Sequence, residues 1–358
     1  MNSFYSFYFY PFIAFFLVLF ITPFVRGLAI RFGLVDRPNY RKSHYTPIPV
    51  MGGISIFLAS TVTLLIDVNY NSELEQLYPL FIGSLVLLVV GVIDDKINVK
   101  AIIKLIIQLG LAYFVYSSGI KVESLFGIFG INELPESVKL ILTILVITGT
   151  VNAFNLTDGI DGLAAGLAII GFSAYTIIAI MLYKFLLALL FLTMMGALIG
   201  FLKFNLSKKN KIFLGDAGSL FLGYILVVTG LVLINTSINT SNLPVVLSTV
   251  IGVLILPVID SMRVYTRRIK KGYSPFRADK THLHHLLINL KIAHGSASII
   301  IVVTAISLLL LSIFTGSFFS HTVTIILLLI LFVVFSNLLS LNNEINEWTK
   351  KNKELENS

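Results

Sequence analysis

The chain of 358 residues has no cysteine, one tryptophan, and only 12% charged residues. Without cysteine there can be no disulfide framework, no thiolate metal site and no cysteine nucleophile. Soluble domains carry roughly a quarter of their residues as Asp, Glu, Lys and Arg. At half that density a water-facing surface cannot be covered, which excludes a soluble multidomain enzyme. Disorder is excluded by the opposite excess, since 56% of the residues are hydrophobic and the mean hydropathy is +0.93. Transmembrane barrels show short alternating segments, which this sequence lacks. What it has are long unbroken apolar runs, and these imply an all-α, polytopic integral membrane protein.

A helix needs about 20 apolar residues to cross the hydrocarbon core. Eleven runs meet that need: 4–25, 48–66, 77–93, 101–118, 138–154, 163–182, 185–202, 214–234, 243–262, 297–315 and 321–341. The first has no basic segment before it and no small-residue cleavage site, so it reads as a span and not as a cleavable signal. Eleven crossings place the termini on opposite sides. With the N-terminus outside, all but Lys121, Lys139 and Lys184 of the 26 Lys and Arg fall on the cytoplasmic side, as the positive-inside rule requires. The formal net charge of +8 therefore reflects topology, and no nucleic-acid partner is expected. Residues 1–341 read as one membrane-embedded domain. The segment 342–358 reads as a polar cytoplasmic tail, 119–137 as an outside loop able to hold a hairpin, and 235–242 as a polar linker. No internal repeat is evident.

Ionisable groups at span ends are where function is expected in such a protein, and five polar clusters share the cytoplasmic side. Arg41, Lys42 and His44 precede Pro47, Pro49 and the Gly52–Gly53 pair; they suit a lipid headgroup or substrate phosphate, although basic charge there also follows from topology. Asp94 and Asp95 are adjacent carboxylates, tolerated where a cation or proton sits between them, and Lys104 and Gln108 follow. Asn155, Asp158 and Asp161 are spaced by three, sharing a face in helical geometry, with Gly159 and Gly162 beside them. Asp216 stands between Gly215 and Gly218 where a span opens, with Asn205 upstream; a carboxylate there can hold Mg²⁺ while helix-terminal amides face phosphate oxygens. The long loop from Arg263 to Lys291 holds Arg267, Arg268, Lys280, His282, His284 and His285. Its histidines are poorly spaced for three ligands of one metal, and its basic surroundings suit a phosphorylated substrate. Carboxylates and amides for Mg²⁺ beside a basic, histidine-rich loop describe phosphoryl transfer between a soluble substrate and a lipid.

In five ordered motifs, RKSHYTPIPVMGG, GVIDDK with KLIIQ, NAFNLTDGIDGLAAG, FLGDAGSLFLG and SPFRADKTHLHH, the chain resembles the polyprenyl-phosphate N-acetylhexosamine-1-phosphate transferases over essentially its whole length. The resemblance implies transfer of a sugar 1-phosphate from a UDP-N-acetylhexosamine to undecaprenyl phosphate, in one step or two, with release of UMP and with Mg²⁺ as cofactor (Mn²⁺ as a substitute). It matches Asp216 to a metal-binding aspartate and Asp94 and Asp95 to an acidic pair that contributes a base and metal ligands. Asn155, Asp158 and Asp161 match a cluster near nucleotide and metal, Lys104 a residue facing phosphate, and His282, His284 and His285 an element for the UDP-sugar. The HLHH sequence and eleven spans look like the branch that moves GlcNAc 1-phosphate to start an envelope polysaccharide (O-antigen, enterobacterial common antigen or wall teichoic acid). The alternative within the family is the phospho-MurNAc-pentapeptide branch. Lys280 departs from the arginine common in relatives and loses the planar fork. The implied setting is the bacterial inner membrane, among membrane lipids, as a monomer or homodimer. A secondary transporter is the rival of a different class, but its acids would gather at the bilayer midplane.

Overall fold

The computed structural model describes residues 9–36, 47–66, 77–274 and 281–356. Each of the eleven apolar runs coincides with a helix: α1 (Tyr10–Arg31), α2 (Gly52–Leu65), α3 (Tyr78–Ile97), α4 (Ala101–Ser117), α5 (Glu136–Thr157), α6 (Leu163–Met181), α7 (Phe185–Asn205), α8 (Gly215–Ser237), α9 (Leu243–Lys270), α11 (His294–Phe318) and α12 (His321–Glu356). A short α10 (Leu283–Asn289) lies in the loop between α9 and α11. Eight of these, α1, α5 to α9, α11 and the first part of α12, are long and apolar enough to cross a membrane. The protein is a nearly all-helical, multi-pass membrane protein.

Several helices outrun their apolar stretch. The third extends to Ile97 and so carries Asp94 and Asp95 within it, and α9 runs past its apolar part to Lys270. The polar tail continues α12, so that the two form one helix of 36 residues. Residues 119–135 form no hairpin among the described residues; they turn through a single 3₁₀ turn at Ile128–Gly130.

At the centre stands α8. Its apolar window is 94% buried, against 28% for α1 and 22% for α12 at the periphery. In a bilayer, burial of one helix among others depends on close van der Waals packing, because lipid is as apolar as any neighbour. Small residues supply it. A Cβ at Gly91 of α3 would sit 2.3 Å from the Cα of Ala217, and one at Gly53 of α2 equally 2.3 Å from the Cα of Gly218. Several hydroxyls buried in the helices are satisfied within their own helix, as where Thr229 and Thr249 donate to the carbonyls of Ile225 and Val245.

The start of α8 is also pinned by backbone. Strands β1 (Val35–Asp36) and β2 (Ile48–Pro49) form a two-residue antiparallel ladder. Beyond it, Phe213 N donates to Pro49 O at 2.8 Å, Gly52 N to Phe213 O at 2.9 Å and Gly53 N to Leu214 O at 3.0 Å. Two helices therefore begin from one stitched segment, and Asp216 is placed by that stitch.

Candidate active site

The C-terminal end of α3, the start of α4, the end of α5 and the start of α8 meet at one end of the bundle. Lys104 links them. Its Nζ donates to Asp94 Oδ2 and to Asp216 Oδ2, the latter at 3.1 Å. Asp216 Oδ1 accepts from Asn155 Nδ2 at 3.1 Å, and the same amide reaches Ser219 Oγ at 2.8 Å. The other oxygen of Asp94 accepts from Val99 N at 2.7 Å, which fixes the turn into α4. Asp95 faces a different way. Its two oxygens accept from the backbone N–H groups of Asp216 (3.0 Å) and Ala217 (3.3 Å), so it complements the positive end of α8. The adjacent acids are tolerated because each meets a different positive group.

The turn between α5 and α6 carries the next acids. Asp161 pairs with Lys211 at 2.5 Å, and its carbonyl accepts from Ser298 Oγ of α11 at 2.6 Å. Asn205 is spent on backbone: its Oδ1 accepts from Gly162 N at 2.7 Å and its Nδ2 donates to Ile212 O at 3.0 Å. That clamp holds the start of α6 against the chain leading to α8. Asp158 has no hydrogen bond or ion pair through its carboxylate among the described residues. Burial, and then the carboxylates of Asp216, Asp95 and Asp161, hold it well above the usual carboxylate range.

The histidine element packs directly on this turn. A Cβ on Gly159 would lie 2.2 Å from His284 Nε2, so only a bare backbone lets the ring approach. His284 is 4% exposed. Burial, followed by the neighbouring His285 and His282, pushes it down to about 3, so its ring is neutral at physiological pH. The rings of His282 and His284 lie parallel with centroids 5.9 Å apart, and His285 tilts against His284 at 4.2 Å. On α9, Asp260 accepts from His282 Nδ1 at 2.9 Å, from Leu283 N at 3.2 Å and from Arg263 Nη2 at 2.7 Å. Arg263 Nη2 also donates to Thr281 O at 2.6 Å. On the far side, Asn343 Nδ2 of α12 donates to Leu286 O at 3.0 Å.

Asp94, Asp95, Lys104, Asn155, Asp158, Asp161 and Asp216 thus come together, with His282, His284 and His285 beside them. Arg268 is buried with its guanidinium 5.7 Å from the Tyr265 ring, while Arg267 is exposed. Arg41, Lys42, His44 and Lys280 lie outside the described residues. Sequence reasoning passed over Asp260, Arg263, Lys211 and Ser219. Of these only Asp260 had a signal, an acid inside an apolar run, which in a membrane protein marks a partner nearby.

The donors suit a hard divalent cation. They are carboxylate oxygens, the ligand type Mg²⁺ prefers, and Asp158 sits among three further carboxylates with no cation of its own. Among the described residues no three acidic or histidine side chains converge at ligating distance; the ammonium of Lys104 stands between Asp94 and Asp216 instead.

Residues 77–234, which hold the α3, α5 and α8 parts of this cluster, match the model of glycosyl transferase family 4. The chain is 36% identical over 291 residues to the probable undecaprenyl-phosphate N-acetylglucosaminyl 1-phosphate transferase of Bacillus subtilis (strain 168), covering 79% of this chain and 78% of the relative. It is 32% identical over 317 residues to the undecaprenyl-phosphate alpha-N-acetylglucosaminyl 1-phosphate transferase of Escherichia coli (strain K12), covering 87% and 84%. The protein of that name from Yersinia pestis is 31% identical over 318 residues, covering 87% and 85%. With 31–36% identity to these relatives over 79–87% of its length and the acids gathered as described, the chain belongs to glycosyl transferase family 4.

Proposed function

We propose that the protein transfers N-acetylglucosamine 1-phosphate from UDP-N-acetylglucosamine to undecaprenyl phosphate and releases UMP. The observation that carries this reading is the Asp94–Lys104–Asp216–Asn155 network at the positive end of α8, beside Asp158, whose carboxylate has no partner among the described residues, and a histidine-rich element. The relatives named for this reaction support the choice of donor and lipid.

In the reaction an oxygen of the lipid phosphate attacks the β-phosphorus of the UDP-sugar. The bond from that phosphorus to the oxygen bridging it to the α-phosphorus breaks, and UMP leaves with the bridging oxygen. Both reactants are anions, so neutralising charge and aligning the partners dominate. The second pKa of a phosphate lies near 6, so the lipid is largely dianionic at neutral pH and needs little from a base. Lys104 supplies a fixed ammonium for a phosphate oxygen. The amides at the start of α8 are held by Asp95, which keeps that helix end in place. Mg²⁺ on Asp216, with Asp158 and Asp94 within the same cluster, would supply the charge that the diphosphate requires. The histidine element faces the same turn and is suited to the sugar-nucleotide.

An apolar groove of about 420 Å³ runs between α5, α8 and α9, lined by Leu145, Val146, Gly149, Leu231, Leu254 and Val258 among others. It reaches Lys121 and Phe126 toward the end of α5 opposite the acids, and its apolar lining fits part of an isoprenoid chain. The charge distribution supports eleven crossings with the N-terminus outside and a site on the cytoplasmic face of the bacterial inner membrane. Purified protein incubated with undecaprenyl phosphate, Mg²⁺ and a panel of UDP-sugars tests the reading. UMP with a lipid-diphospho-GlcNAc product is expected, lost without Mg²⁺ and in Asp216→Ala. Folded protein that releases no UMP with any donor overturns it.

A further inference from the structure

Asp260 lies on a helix that carries no charge over the 17 residues before it, is 8% exposed, and receives three donors on two oxygens. Arg263 beside it balances its charge at 2.7 Å. An ionised carboxylate only accepts, so the Nδ1 of His282 must carry a proton and donate. That assignment leaves Nε2 as the ring's working atom. Nε2 of His282 is buried and has no hydrogen-bond partner among the described residues, in a ring 4% exposed. A buried polar atom left without a partner is costly, and an orphan held in place by a dedicated carboxylate calls for an explanation. The parallel ring of His284 continues from it to Gly159, and so to the turn that bears Asp158 and Asp161.

We propose that Asp260 is a positioning residue that acts through His282: it fixes the tautomer and direction of that imidazole so that Nε2 is presented to the sugar-nucleotide. The inference rests on the reading under Proposed function. Arg263 belongs to the same device, because its second contact, on the Thr281 carbonyl, holds the chain just before the histidine. Asp260 itself touches no reactant.

A double-mutant cycle in the transfer assay tests it, with Asp260→Asn, His282→Ala and the two combined. One amide offers one oxygen and one NH₂ group, so at least one of the three donors must meet another donor, and the imidazole loses its anchor. The KM for UDP-N-acetylglucosamine is expected to rise by about tenfold or more in Asp260→Asn, with the KM for undecaprenyl phosphate unchanged. In the His282→Ala background the second change is expected to add less than about twofold, since coupled neighbours are not additive. Additive losses, equal shifts in both KM values, or wild-type kinetics in Asp260→Asn overturn the inference. If Asp260→Asn yields no folded protein, Asp260→Glu runs the same cycle, keeping both acceptors and the charge but displacing them by one methylene. A wild-type protein without UMP release brings down the proposed function and this inference together; an active wild type with an additive cycle brings down the inference alone.

Discussion

The two ends of α5 carry charge in opposite ways. At its start Lys121 pairs with Glu136 at 2.6 Å and Glu123 at 3.7 Å, while Lys139 pairs with Glu123 at 2.6 Å and Glu136 at 3.7 Å. Two cations face two anions, each touching both opposites, and nothing is left over. At the other end five aspartates, Asp94, Asp95, Asp158, Asp161 and Asp216, share the ammonium groups of Lys104 and Lys211 and the amides of α8. Asp158 is left with like charges only. A closed set of ion pairs at the surface holds a loop and contributes little more. A surplus of one sign, held in place by packing, is kept at a cost to stability and is repaid by what binds there.

Four substitutions sharpen or break that contrast. The largest effect is expected for Asp216→Asn, which removes the carboxylate shared by Lys104 and Asn155. Transfer should fall by about a thousandfold with the melting temperature little changed. A variant with more than a tenth of wild-type turnover would mean the surplus charge is not catalytic. Next comes Lys104→Met, which leaves Asp94 and Asp216 facing each other. Transfer should drop by about a hundredfold, and the melting temperature should fall and be partly restored by millimolar Mg²⁺; restoration by Na⁺ at equal ionic strength would count against a specific cation.

Asp158→Asn is the most telling of the four. Because the folded protein holds this carboxyl above its unfolded pKa, the native state keeps a proton the unfolded chain has released. Stability from this group is therefore present at low pH and lost as pH rises from near 4 through the folded pKa. The amide variant should melt higher than wild type at pH 7, lose that advantage near pH 4, and transfer sugar phosphate about ten- to a hundredfold more slowly. Equal melting curves at both pH values would show that the carboxylate is not opposed by its neighbours. The smallest effect is expected at the other end. Lys139→Gln breaks two of the four ion pairs there, and transfer should stay within about twofold of wild type. A larger loss would tie the outer network to the chemistry.

Much of this could be read from residue order. Apolar length gave every helix of the bundle, because a bilayer demands closed backbone hydrogen bonding over each crossing. The acids were visible because a carboxylate beside an apolar run is costly unless used. What each acid touches was not visible. Asp94 and Asp95 are neighbours in sequence, yet a turn of about 100° along the helix sends one to Lys104 and the other to the amides of α8. Asn205 looks like a substrate ligand by type and is a backbone clamp by position. Lys211 counted as one more inside charge, although it neutralises Asp161 from 50 residues away. Arg263 was overlooked beside the more conspicuous Arg267–Arg268 pair, since only the folded loop brings Thr281 over it. Pairings of this kind depend on how helices are rotated about their axes, and hydropathy reports that rotation weakly when nearly every face is apolar.

The last helix has a practical corollary for anyone handling the protein. It starts beside Phe129, whose N–H donates to Thr322 Oγ1 at 2.7 Å, and about twenty residues later holds the histidine element through Asn343. Trimming the chain before Asn343 to shorten its polar terminus would remove a strut from the working face. Any truncation should fall on the far side of that asparagine.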